Sequence, residues 1–329
     1  MRAATYHRYG PPSVLSIAEI PTPNPGPGGV LVRVHASTVS SGDVRLRSMQ
    51  LPSPLFVPIA RGLFGIVRPR NPIPGAELSG VVESVGAGVT GFAPGDAVVA
   101  ATGAKGRANA EFVVVPADGP IVPRPECLSY EEAAALSFGG FTALCFLRDK
   151  GGIDAGQRVL INGASGSVGT AAVQLARHFG ARVTGVCSAK NADLVRSIGA
   201  DDVIDYRATP LASVRVREPY DIIFDTVGTT CFKDTRHLLA PQGRFLAAVM
   251  RLDEMVRSIT TAVGGGPRVI SGVTTEKPED LRLLAELAAQ GRYRPVIDRV
   301  FALEEIAAAH AYVDAGHKAG NVVVRVAGE

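Results

Sequence analysis

Ile161-Asn-Gly-Ala-Ser-Gly-Ser-Val-Gly169 follows the apolar run Arg158 to Ile161 and leads into Thr170-Ala-Ala-Val-Gln-Leu-Ala-Arg177, a stretch of good helix formers. A strand, a glycine turn and a helix in that order bring backbone N–H groups and the positive end of a helix dipole to one point, where a pyrophosphate can sit. Ala164, Gly166 and Gly169 fall on the A-x-G-x-x-G spacing. Gly166 lets the backbone approach the phosphate and Gly169 lets the helix pack on its strand. The candidate cradle is therefore Gly163, Ala164, Ser165, Gly166, Ser167, Val168 and Gly169. Such turns also occur without a ligand, so the downstream pattern decides. Ala181-Arg-Val-Thr-Gly-Val-Cys187, Asp202-Val-Ile-Asp205, Tyr220-Asp-Ile-Ile-Phe-Asp225 and Gly243-Arg-Phe-Leu-Ala-Ala-Val249 are short apolar strands separated by helical segments. That alternation predicts a parallel, doubly wound sheet.

The kind of dinucleotide is read about 20 positions past the glycines, where an NAD site carries an acidic residue for the ribose hydroxyls. Here the chain reads Cys187-Ser188-Ala189-Lys190-Asn191, with no carboxylate before Asp193. Ser188 offers a hydrogen bond and Lys190 a point charge, which together suit a ribose 2′-phosphate, so NADP(H) is favoured over NAD. The plainer reading of Lys190 is a solvated surface lysine. Tyr206, at the end of the next strand, either stacks near the adenine, bonds the same phosphate or is an ordinary strand-end aromatic.

A chain of 329 residues predicts two domains. Ahead of the nucleotide pattern, which is expected to start near Val122, stand Gly29-Val-Leu-Val-Arg-Val-His35, Leu78 to Val85, Asp96 to Ala100 and Glu111 to Val115. These short strands, punctuated by turn chemistry at Gly86-Ala-Gly88 and Pro94-Gly-Asp96, predict a small β-barrel or sandwich. Pro295 to Phe301, a helix from Leu303 to about Ala315 and Asn321 to Arg325 are expected to return to it, the last as an exposed-end strand that must pair somewhere. A formal charge of +3 with dispersed basic residues excludes a nucleic-acid reading. Four cysteines without a C-x-x-C pair fit free thiols, and Met1 to Tyr9 lacks an apolar h-region, so a cytoplasmic protein is expected. Leu51 to Val67 is strongly apolar, but its three prolines and Arg61 rule out a spanning helix. It reads as a loop or short helix over a pocket, or as inter-strand packing, with a peripheral membrane contact ranked behind both.

Taken in order, Pro74-Gly-Ala-Glu-Leu-Ser-Gly-Val-Val82, Val85-Gly86, Gly95-Asp96, Glu131-Glu-Ala-Ala-Ala-Leu136, Gly140-Phe-Thr-Ala143 and Asn162 to Gly169 make the chain resemble the medium-chain dehydrogenase/reductase superfamily, and within it the zinc-independent quinone oxidoreductase branch. The resemblance covers essentially the whole chain. It implies an α/β protein with a GroES-like β-barrel domain, residues 1–121 and 296–329, and a Rossmann doubly wound parallel sheet domain, residues 122–295, with the active site in a cleft between them. Zinc-dependent relatives hold their metal with a histidine of a Gly-His-Glu motif and a cysteine. Here the motif reads Gly75-Ala76-Glu77 and the cysteine site, in Thr38-Val-Ser-Ser-Gly-Asp43, carries serine, so no metal site is expected.

Zinc-free relatives often carry an Asn-x-x-Asp pair, which here becomes Ser40 and Asp43, with Ser40 as a donor to the acceptor oxygen. Asp43 braces the loop or, as the slightly favoured plain reading, pairs with Arg45 or Arg47. Thr142 matches a threonine beside the nicotinamide. Val227, Gly228, Ala247, Ala248 and Val273 are implied to line the cofactor and Asn321 to bond it. The implied activity is hydride transfer from NADPH to a small hydrophobic quinone or enone. Two alternatives stand beside it, an enoyl-thioester or tailoring reductase and a nucleotide-binding protein without turnover. A homodimer pairing the edge strand Arg268-Val-Ile-Ser-Gly-Val273 is expected from the same resemblance.

Overall fold

The computed structural model describes residues 1–249 and 251–326. They fall into two compact units, Met1–Phe138 with Glu276–Glu329, and Gly139–Thr275. The first division falls after residue 121, between Phe138 and Gly139, and the second falls before residue 295, between Thr275 and Glu276. Ile121–Pro123, expected to open the nucleotide domain, instead pairs with Ala97–Ala101 in the first unit. The helices Tyr130–Ala134 and Pro278–Ala289 pack on strands of that unit and are drawn into it.

In the second unit six parallel strands run from edge to edge as Asp202–Asp205, Arg182–Cys187, Arg158–Asn162, Tyr220–Asp225, Leu239–Ala247 and Arg268–Ser271. The two central strands are apolar on both faces: Val159, Leu160, Ile161, Ile222, Ile223 and Phe224 are all fully buried. A sheet covered by helices on both sides needs such runs, and the strand order is the doubly wound one. The order reverses between Arg158–Asn162 and Tyr220–Asp225, whose registered ends bring Asn162 opposite Asp225. Ligands of such sheets sit outside the strand ends at that crevice.

The first unit is built on the long strand Gly29–Val39. One of its edges takes Glu77–Val85; the other is shared by Phe112–Pro116 along residues 29–33 and Asn321–Arg325 along residues 36–39. Register shifts at Leu31/Val32 and Val34/Ala36 mark bulges that bend the strand. Asn321–Arg325 is an interior strand, paired with Ile297–Ala302 on its far side and buried from Asn321 to Val324. The exposed-end expectation is thus corrected, because the run Val322-Val-Val324 belongs to a strand with neighbours on both edges. A hairpin of Arg2–Thr5 with Ser16–Glu19 had no sequence signal strong enough to find. The helix expected from Leu303 begins as a tight turn, Leu303–Glu305, and continues as Ile306–Asp314, burying Ile306, Ala309 and Val313 at helical spacing in the core of the unit.

Candidate functional site

In the second unit the strand Arg158–Asn162 ends in a turn and the helix Ser167–His178 begins at Gly166. Gly163 has φ +78°, in the region that favours glycine. A Cβ at Gly169 would lie 2.0 Å from the Gly163 carbonyl oxygen, so helix and turn touch backbone to backbone. A Cβ at Gly166 would meet nothing nearer than 3.5 Å, and its φ of −80° suits any residue. No protein neighbour demands glycine there, although glycine is also an accepted N-cap residue. The helix carries no side-chain cap at its N-terminus, so no protein side chain competes with an anion for it.

Asp225 braces the neighbouring loop. Its carboxylate accepts from Asn162 Nδ2 at 2.9 Å, Val227 N at 3.2 Å and Gly228 N at 3.1 Å, and burial raises its pKa against those bonds. Thr226 Oγ1 donates to the Asn162 carbonyl at 2.8 Å, fixing Val227 and Gly228 beside the glycine turn. Ala248 N donates to the Asp225 carbonyl at 3.1 Å, tying Ala247 and Ala248 to the same strand ends. Val273 is exposed, its carbonyl accepting from Lys150 Nζ at 3.1 Å. Sequence reasoning missed Asn191, whose side-chain amide donates to Ser165 Oγ at 3.0 Å and links the phosphate turn to the end of the second strand. Ser188 is buried at that strand end, Lys190 is exposed, and Tyr206, half exposed, donates its N–H to the Cys187 carbonyl at 3.3 Å. Asp205, opposite Cys187 in register, is occupied in accepting from Arg207 N at 3.0 Å. Thr142 is a buried residue of the helix Ser137–Leu144.

The first unit holds a separate polar cluster. Ser40 caps the helix Ser41–Ser48, and its hydroxyl donates to Asp43 Oδ2 at 2.6 Å while accepting from Asp43 N at 3.2 Å. Asp43 also accepts from Ser40 N at 2.8 Å and Gly75 N at 3.1 Å, and burial raises its pKa in spite of these bonds. It pairs with neither Arg45 nor Arg47, which corrects the plain sequence reading. The carboxylate turns back to the helix start, and Arg47 Nη2 reaches Asp314 Oδ2 at 2.6 Å instead. Buried Glu77, not foreseen as part of the site, accepts from Thr38 Oγ1 at 2.6 Å, Ser137 Oγ at 2.7 Å and Phe138 N at 2.6 Å. A cavity of about 1300 Å³ in this unit is lined by Asp43, Leu46, Leu63, Phe64, Gly103 and Glu276 among others. The Glu276 carboxyl, which lines it from an exposed position, is pushed up to about 7 by desolvation first and by the charges of Glu77 and Asp43 second. Asn321 is buried in this unit, its amide donating to the Val296 carbonyl at 3.0 Å. Lys318 donates to the Gly320 carbonyl at 2.7 Å, and its burial lowers the ammonium pKa to about 8. Among the described residues no three His, Cys, Asp or Glu side chains come together so as to hold a metal ion.

Comparison with known proteins gives a consistent picture. Residues 26–142 match the model of the alcohol dehydrogenase GroES-like domain, and residues 198–324 match that of the zinc-binding dehydrogenases. The chain is 31% identical to the chloroplastic quinone-oxidoreductase QR1 of Triphysaria versicolor, over 98% of both chains. It is 33% identical to the mitochondrial NAD(P)H oxidoreductase RTN4IP1 of Homo sapiens, over 91% of this chain and 82% of that one. The quinone oxidoreductase from Coxiella burnetii superimposes with a TM-score of 0.86 over 99% of both chains, at 27% identity.

Proposed function

This chain belongs to the medium-chain dehydrogenase/reductase superfamily, in its quinone oxidoreductase-like part, and from that premise we propose that it is an NADP(H)-dependent oxidoreductase that reduces a quinone or an α,β-unsaturated carbonyl without zinc. Oxidoreductase chemistry with a nicotinamide cofactor is the family's own. The proposal adds the phosphate form, the acceptor and the absence of a metal. The carrying observation is the turn at Gly166, where nothing in the protein fills the space beside the backbone, joined to the Ser188–Lys190 strand end with no acid before Asp193. The side chains present fit a 2′-phosphorylated dinucleotide. Ala76 and Ser40 stand where a zinc-dependent relative needs histidine and cysteine.

When bound, the reduced nicotinamide supplies the hydride. The chain's part is to bind, orient and polarise. The helix start at Gly166 and the loop braced by Asp225 hold the dinucleotide. Ser40, whose hydroxyl donates to Asp43, turns that hydrogen bond toward the acceptor oxygen as negative charge develops there, leaving Asp43 held by the N–H groups of Ser40 and Gly75. Glu276, protonated in part near neutrality, faces the same cavity and can return a proton to the reduced acceptor. The four cysteines are free, which supports a reducing, cytoplasmic setting. A homodimer is supported by the edge position of Arg268–Ser271 and by Leu252, Val256 and Ile259, exposed on the helix Leu252–Ala262 that packs beside it, with Val263 exposed at that helix's end.

Titration of the purified protein with NADPH and NADH, followed by turnover with quinones, enones and acyl thioesters, tests the proposal. Tighter NADPH binding is expected, with Lys190→Ala raising the Kd for NADPH about tenfold, or roughly 1.4 kcal/mol, and leaving NADH alone. No response to NADPH, or activity lost to a chelator and restored by zinc, would overturn it. Turnover of acyl thioesters alone would give a tailoring reductase, and binding without any turnover a nucleotide-binding protein.

A further inference from the structure

From Val44 to Ala76 the sequence has five arginines and no aspartate or glutamate. Within it the turn Pro54–Phe56 and the helix Val57–Phe64 carry Leu55, Ile59 and Leu63 at i, i+4 and i+8, all more than 60% exposed, and Ile66 and Val67 continue the apolar surface at 67% and 83%. Ala60 is the buried residue of the helix. Arg61, Arg68 and Arg70 are exposed at the margin of this stripe, and none joins an ion pair among the described residues. The segment is fastened in place. Tyr9 Oη donates to the Gly65 carbonyl at 2.7 Å, Tyr6 N to the Pro72 carbonyl at 2.9 Å and Arg70 N to the Phe64 carbonyl at 2.7 Å. Gly65 has φ +125°, and a Cβ there would fall 2.0 Å from the Arg68 carbonyl oxygen, so the bend after the helix is fixed by close backbone contact.

An apolar stripe bordered by arginines that have no acidic partner among the described residues, Arg61 lying over the Tyr9 ring, calls for an occupant that is greasy inside and negative outside. A second copy of the same face answers poorly, because isologous contact would set arginines against arginines with no carboxylate in the segment. A role as cavity wall accounts for Leu63 and Phe64 but not for Leu55 and Ile59, which do not line the cavity. Eight residues of helix, about 12 Å, are too few to span a bilayer but enough to lie in its interface. We propose that the face formed by Leu55, Ile59, Leu63, Ile66 and Val67 with Arg61, Arg68 and Arg70 docks on an anionic phospholipid surface. The apolar side chains enter the acyl boundary and the guanidinium groups meet the phosphates. Because Leu63 and Phe64 also line the cavity that holds Asp43, docking brings a bilayer-dissolved quinone to its wall. That consequence rests on the proposed function; the lipid binding itself does not.

The chain contains no tryptophan, so Ile59→Trp in the full-length protein is a single reporter. Its emission is expected to shift to the blue on phosphatidylglycerol vesicles. Co-sedimentation is expected to favour them over phosphatidylcholine vesicles about a hundredfold, roughly a factor of five for each of three arginines, and to weaken with added salt. Ile59→Glu and Arg68→Glu should each lose vesicle binding while keeping wild-type turnover of a water-soluble quinone. Vesicle binding is read without cofactor or acceptor, so its failure is distinct from a failure of the enzymatic reading. Absence of binding to phosphatidylglycerol vesicles, equal binding to neutral vesicles, or a concentration-dependent blue shift without lipid that marks a second copy on this face would each overturn the proposal.

Discussion

Gly166 and Gly169 stand in one turn and are glycine for different reasons. At Gly169 the helix and the Gly163 carbonyl leave no room for a methyl group; at Gly166 the protein leaves ample room. Gly169→Ala should therefore lower the unfolding midpoint and weaken the dinucleotide together, whereas Gly166→Ala should melt like the parent and raise the NADPH Kd about tenfold or more. Thermal melts set beside cofactor titrations check the pair, and a destabilised Gly166→Ala would show that protein packing explains both. The sequence spacing located these glycines but could not separate their roles, since the distinction lies in how near other atoms approach. Ser40 and Asp43 were legible in the same way, as two residues three apart. That the serine hydroxyl donates to the aspartate, and that Asp43 ignores both neighbouring arginines, depends on the helix start turning the carboxylate inward.

The helices Ser41–Ser48 and Ile306–Asp314 meet through a pair of residues 267 positions apart, Arg47 and Asp314. Arg47 is 1% exposed, and its Nε and Nη1 have no partner. A charge so placed depends on its one counter-ion, and removing a partner costs more than replacing the pair with apolar atoms. Asp314→Ala should cost about 2 kcal/mol, discounted because Asp314 is one-third exposed, and Arg47→Met less than half as much. Urea unfolding of the two variants and the double mutant measures this; equal losses would mean that lost packing dominates. Periodicity could announce each helix by its apolar face. Nothing local in either segment announces the ion pair, which exists because the first and last parts of the chain share one sheet.

His310 lies fully buried in that same helix, with both ring nitrogens unpartnered and a pKa lowered to about 3, by desolvation first and by the charge of Arg47 second. A base with a folded-state pKa below its unfolded value of about 6.5 binds fewer protons when folded. Its contribution to stability is present above pH 6.5 and is lost as the pH falls toward 3, at roughly 1.4 kcal/mol per pH unit. Between pH 6.5 and 5 the wild type should lose about 2 kcal/mol that His310→Leu retains, and parallel urea titrations at the two pH values would reveal equal slopes if this is wrong. At the level of the whole molecule the sequence by itself determined the two architectures, the order of strands and helices around Asn162 to Gly169, and the residues of the phosphate turn. Each of those follows from local periodicity, glycine spacing and turn chemistry, which act over a few residues. Only the tertiary structure decided where the compact units divide, that Asn321–Arg325 is an interior strand, that Glu77 and Glu276 join Asp43 in one electrostatic neighbourhood, and that Leu55 to Val67 turns its apolar side outward. Those are matters of which distant segments pack together and what each side chain then loses of its water, and neither is written in the spacing of neighbours along the chain.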